Sequence, residues 1–256
     1  MAAIRKTWVR DELLVAFNLY CRLPFGRLHA GNSDIIKMAG VLGRTPSAVA
    51  MKLVNFASFD PAHLERNVKG LRNASKGDRA IWDEFHGDWE GLAFESEEAL
   101  GRLYGFQEQA QTVEREEKPV VATEAERTVR VRLVQRFFRE AVLSSYGYCC
   151  SVCAFGVVEM LNASHIVPWS KDAKRRADPC NGLSLCVLHD RAFDRGFMTV
   201  DEEYRVVVAG AVKIEDVPEL HEVGLLKIEG RKITLPERFR PDEGALGYHR
   251  EKVFLG

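Results

Sequence analysis

Apolar side chains recur at helical spacing through the first hundred residues. Residues 11–20 (DELLVAFNLY) follow an acidic start with leucine, valine and phenylalanine on one face, which predicts a helix. Residues 32–43 open on the capping types Asn32 and Ser33 and close on Gly43, so they predict a second, short helix. Thr45 is placed to cap a third, with Pro46 in the first helical position and apolar residues continuing to Phe56. Residues 73–85 predict another. A helix, a glycine turn and a small-residue helix suit a helix-turn-helix-like unit, and equally a plain helical bundle.

Near Gln107 the pattern fades. Residues 107–126 are rich in Gln, Glu, Thr and Lys and contain Pro119, which predicts a linker between a helical region at 1–106 and a second domain at 127–256. That domain starts with a basic amphipathic helix carrying Arg127, Arg130, Arg132, Arg136 and Arg139. Strand-like patterns follow. Residues 157–160 and 163–167 predict an antiparallel pair, 197–201 and 204–209 a second pair, and 227–235 a hairpin. The expected class is α+β: an all-helical N-terminal domain joined to a small mixed domain.

Composition adds little beyond a globular class, with 46% hydrophobic and 29% charged residues among 256. Lys plus Arg (36) nearly cancels Asp plus Glu (37), so any phosphate-binding face must come from local clustering. No apolar run approaches the ~18 residues of a membrane span, and the first residues lack the order of a signal peptide. A cytoplasmic location follows as an expectation. Reduced cysteines in that compartment bind metal or stay free more readily than they bridge; Cys21, Cys149 and Cys180 are expected to be buried free thiols.

The densest chemistry lies between Tyr148 and Asp194. Cys150-x-x-Cys153 and Cys186-x-x-His189 supply the four soft or borderline ligands of a tetrahedral structural zinc. His189 could face a second ion instead. His165 stands in an apolar strand, where a packed core histidine is the commonest reading. Asp190 and Asp194 lie four apart, one helical turn, which places both carboxylates on one face. A zinc site alone needs none of these last three residues.

Together these residues resemble the HNH (ββα-metal) endonuclease family, in its restriction-endonuclease-like branch, over roughly residues 137–254. The anchors are Phe138-Arg139, Tyr148, the run Ala163-Ser-His-Ile-Val-Pro168, Asp178-Pro-Cys-Asn-Gly-Leu-Ser-Leu-Cys186, His189-Asp190 and Phe193-Asp-Arg-Gly-Phe197. The resemblance implies a zinc-stabilised ββα nuclease unit with His165 as general base and Asn181 bracing the loop that orients it. It also implies a catalytic Mg²⁺ or Mn²⁺ held by Asp190 and Asp194. Two positions depart from the pattern: Asp190 stands where many members carry a second histidine, and Ser164 where many carry Asp or His.

The function expected from this resemblance is metal-dependent hydrolysis of DNA phosphodiester bonds by a restriction-type enzyme. The N-terminal domain would select the target, with modified DNA among the candidates, and a homodimer would cut both strands. Candidate DNA contacts are Arg22, Arg27, Arg44 and Lys52 there, with His29 and Ser47 nearby, and Arg136 and Arg139 on the basic helix. Two other readings fit parts of the pattern: a zinc-stabilised DNA-binding regulator without cleavage, and an RNA-directed nuclease.

Overall fold

A computed structural model describes residues 7–65, 74–109 and 124–256. Most of the predicted linker, residues 110–123, lies outside them. The chain divides into two compact units, Met1–Phe137 and Phe138–Gly256, whereas the composition change places the start of the second domain at 127.

The first unit is helical. It comprises α1 (Arg10–Arg22), α2 (Ser33–Leu42), α3 (Pro46–Ala57), α4 (Pro61–Glu65), α5 (Lys76–Phe85), α6 (Trp89–Gln109) and the first part of α7 (Glu124–Ser145). The caps form as the sequence indicates. The Asn32 side chain accepts from the amides of Asp34 and Ile35, Gly43 closes α2 at φ 58°, and Thr45 accepts from Ala48. Only a left-handed residue ends the helix there, which is why a glycine stands at position 43. Helix α1 packs against α3, α5 and α6. Its Phe17 ring meets Phe56 at 4.9 Å and Trp82 at 5.3 Å, forming an aromatic core.

Two ion pairs are sealed within this bundle. Arg44 grips Glu12 in bidentate fashion at 2.6 and 3.1 Å, and Lys52 meets Asp78 at 2.6 Å. All four side chains are buried. Desolvation opposes the Asp78 charge, yet Lys52 and the Ser75 amide hold its carboxyl below the usual range.

The second unit is built around a two-stranded ribbon. Strand β1 (Leu161–His165) runs antiparallel to β2 (Gly182–Cys186), with Leu161 opposite Cys186 and His165 opposite Gly182. Helix α8 (Val187–Asp194) follows at once and packs on both strands. The expected pairing of 157–160 with 163–167 is therefore corrected. Residues 158–160 form a 3₁₀ turn with exposed Val157, Val158 and Met160, and the true partner of β1 lies beyond the polar loop.

Strands β3 (Met198–Val200) and β4 (Val206–Val208) pair as the alternation predicts. The hairpin expected at 227–235 does not form. Gly230, at φ 73°, turns the chain onto β4, so Arg231 and Ile233 bond to Val206 and Tyr204 rather than to their own preceding segment. Helix α9 (Glu219–Gly224) and helix α10 (Glu243–Lys252) complete the unit.

His249 of α10 is buried, with Nδ1 2.8 Å from the Thr199 hydroxyl, Nε2 3.1 Å from the Phe193 carbonyl, and its ring stacked on Phe193 at 3.6 Å. Desolvation lowers its pKa from the usual imidazole value to about 4. Below pH ~6.5 the unfolded chain binds a proton that the folded chain refuses, so stability is lost as pH falls. The expected loss is on the order of 3 kcal/mol between pH ~6.5 and the folded pKa. Urea unfolding of wild type and His249→Gln across that range checks this. The variant should lose this part of the acid sensitivity.

Candidate functional site

The site grows from the junctions that join α7, the ribbon and α8. Helix α7 ends through Gly147 and Tyr148, both with positive φ, and Tyr148 donates its amide to the Leu143 carbonyl. The chain then makes a tight knuckle. Cys150 donates to the Phe155 carbonyl and Ala154 donates back to Cys150. This turn faces the strand-to-helix junction, where Cys186 is the N-cap of α8 and His189 stands in its first turn.

The four ligand atoms of Cys150, Cys153, Cys186 and His189 lie within 4.8 Å of one another. His189 Nδ1 is 3.4 Å from Cys150 Sγ and 3.2 Å from Cys186 Sγ, and the Cys153 and Cys186 sulfurs are 4.0 Å apart. Tetrahedral zinc with sulfur at about 2.3 Å and nitrogen at about 2.0 Å separates its ligand atoms by about 3.5–3.8 Å. The set therefore fits zinc in both chemistry and spacing. His189 Nε2 donates to the Gly224 carbonyl at 2.9 Å, which leaves Nδ1 as the ligand atom. The two readings of His189 are thus separated: its ring faces the three sulfurs. Contact with Cys150 pushes the Cys186 thiol up to about 11, while Cys186 lowers Cys150. Of the remaining cysteines only Cys21 is buried; Cys149 and Cys180 are half-buried, correcting the expectation for those two.

Strand alternation gives the ribbon two distinct faces. Ala163, His165 and Gly182 face α7. The His165 ring lies parallel to Phe138 at 3.8 Å. A Cβ at Gly182 would sit 2.4 Å from Val142 Cγ2 and 3.0 Å from Phe138 Cζ, so only glycine admits the helix this close. Burial lowers the His165 pKa, partly offset by a hydrogen bond with the Arg176 carbonyl. That bond, 3.0 Å from Nε2, makes Nε2 the donor and leaves Nδ1 as the acceptor on the ring. Asn181 is fully buried. Its Oδ1 accepts from the Val167 amide at 2.8 Å, and its Nδ2 donates to the carbonyls of Val167 and Arg175 at 3.1 and 3.2 Å. The amide thus staples both ends of the loop between β1 and β2.

Asn162 and Ser164 face α8. Asn162 Nδ2 donates to Asp190 at 2.7 Å, and buried Ser164 Oγ has no hydrogen-bond partner. Desolvation first, and the Asp190 carboxylate second, raise the pKa of Asp194. These oxygens are the donor type a hard divalent ion takes. Among the described residues, the zinc-type set is the one group of three or more His, Cys, Asp or Glu side chains arranged to hold a metal. Among the described residues no third His, Cys, Asp or Glu joins Asp190 and Asp194 in such a group. They lie on the helix packed against the face opposite His165.

The candidate DNA contacts separate by burial. Arg44 and Lys52 are withdrawn from that role, because their charges are spent on Glu12 and Asp78 inside the bundle and cannot reach a phosphate. Arg22 bonds Asn18 and Arg136 bonds Glu97. Arg27, His29 and Ser47 are exposed, and Arg139 reaches the Val158 carbonyl at 3.4 Å. Sequence reasoning missed Asn162, Trp169 and Arg176. Asn162 meets Asp190 on α8, while Trp169 and Arg176 of one loop meet His165 on β1, contacts that no spacing rule encodes.

Residues 150–201 match the family model described as HNH endonuclease. No curated protein matches the chain. Among the described residues no helix is long and apolar enough to cross a membrane.

Proposed function

We propose that the chain is a metal-dependent, restriction-type endonuclease acting on DNA, with residues 150–201, which match the HNH endonuclease family model, at the heart of its catalytic unit. The observation that carries the reading is the pose of His165. Its ring is stacked on Phe138, its Nε2 proton is given to the Arg176 carbonyl, and Nδ1 is left to accept a proton from water. A low imidazole pKa keeps that nitrogen unprotonated near neutral pH, as a general base requires. Asn181 fixes the loop that supplies the carbonyl. Asp190 and Asp194, on the α8 side of the ribbon and not on the face where His165 stacks, would hold Mg²⁺ or Mn²⁺, which when bound would offset phosphate charge.

The helical region selects the target in this proposal. Helices α2 and α3 pack together across a three-residue turn, and α3 presents Ser47 and Met51 on an exposed face, as the second helix of a helix-turn-helix unit does. Incubating the full chain with plasmid, modified phage DNA and single-stranded RNA, in Mg²⁺, Mn²⁺ or chelator, tests the whole. Metal-dependent DNA nicking is the expected result. DNA binding without cleavage under any ion would favour a zinc-stabilised regulator, and cleavage of RNA alone would contradict a DNA substrate.

One such site holds one phosphate at a time, so cutting both strands in one encounter calls for a homodimer on DNA. Light scattering with a duplex oligonucleotide should give two chains per duplex. A monomer that makes double-strand breaks in a single encounter would refute this.

A further inference from the structure

The loop between β1 and β2 is folded back on itself around a single side chain. Arg176 donates Nε–H to the Trp169 carbonyl at 2.9 Å, and its guanidinium carbon lies 5.2 Å from the centre of the Trp169 ring. That ring meets His165 edge-on, with centres 5.6 Å apart and planes at 89°. The carbonyl of Arg176 itself accepts from His165 Nε2. His165, Trp169 and Arg176 thus form a closed cycle. Phe138 covers one face of the imidazole, the Trp169 ring abuts it edge-on, and the Arg176 carbonyl fixes its proton.

We propose that Arg176 is a positioning residue for the general base, holding His165 in its Nε2–H tautomer and ring orientation through its own carbonyl and through Trp169. The proposal rests on the reading of His165 given above. Two long main-chain bonds hold the turn itself, Arg176 N–H to the Ala173 carbonyl at 3.4 Å and Asp178 N–H to the Arg175 carbonyl at 3.3 Å. Asn181 holds the carbonyl of residue 175, but the next carbonyl is oriented by a side chain that turns back seven residues to Trp169. The planar guanidinium suits that task, since one face lies toward an indole while an edge N–H bonds a carbonyl. A lysine ammonium offers charge without either the plane or the fixed edge.

Small misplacements of a catalytic group cost rate far more than binding, on the order of 10²-fold for about 1 Å. Arg176→Ala in the full chain is therefore expected to lower kcat about 10- to 100-fold while KM and DNA affinity stay within about twofold. Arg176→Lys should be nearly as slow, because it keeps only the charge. Nitrogen-15 NMR of the His165 imidazole should show the Nε2–H tautomer in wild type and a mixture in both variants. That spectrum needs no turnover, so it reads the brace even if His165→Ala, assayed alongside, proves that His165 is not the base. Full rescue by Lys, or weaker DNA binding with kcat intact, would make Arg176 a phosphate contact and overturn the proposal. An unchanged tautomer in Arg176→Lys would overturn it too, whether or not Arg176→Ala folds.

Discussion

Replacing Cys150 with serine is expected to unfold residues 138–256, not merely slow a reaction. Cys150 and Cys153 lie before the ribbon, and Cys186 and His189 lie where it passes into α8, so one zinc ion bound there would tie the knuckle before the ribbon to the helix after it. Structural zinc contributes on the order of 10 kcal/mol of apparent folding free energy in small domains, more than most single domains have to spare. Elemental analysis of protein purified without added metal should give one zinc per chain. Prolonged chelation, followed by circular dichroism, should remove ordered structure from this unit and leave the helices of the first. Cys149→Ser is the control. Its sulfur makes a long contact, 3.8 Å, to the Gly147 carbonyl and lies outside the four-ligand group, so the variant should match wild type in metal content and stability. Zinc-free protein with a normal unfolding transition would refute the assignment.

His165→Ala should abolish cleavage while the chain still folds and still binds DNA. General-base catalysis contributes roughly 10²–10⁴-fold to rate, and neither His189, which faces the sulfurs, nor His249, buried between Phe193 and Thr199, is placed to substitute. Loss of the stacked ring leaves a gap beside Phe138, so a modest fall in stability is expected as well. His165→Gln, which fills more of that space, should be as inactive but more stable. Single-turnover cleavage of a labelled duplex, with affinity measured in Ca²⁺, separates the two effects. Wild-type turnover by either variant would remove His165 from the chemistry.

The sequence by itself determined those features whose causes are local. Helix caps at Asn32 and Thr45, the left-handed stop at Gly43 and the pairing of 198–200 with 206–208 follow from side-chain and backbone preferences within a few residues. The Cys-x-x-Cys and Cys-x-x-His spacings were likewise legible, because each pair spans one turn, and the four ligands converge as that chemistry requires. Tertiary structure decided the rest. The partner of β1 lies across a polar loop, and its uninterrupted burial carries no alternation from which to read a strand. Arg44 and Lys52 look like phosphate contacts in the sequence, yet their carboxylate partners lie 32 and 26 residues away and bury them. The tautomer of His165 is set by a backbone carbonyl eleven residues on. A carbonyl is the same group whatever residue bears it, so only the fold of the loop gives that atom its role.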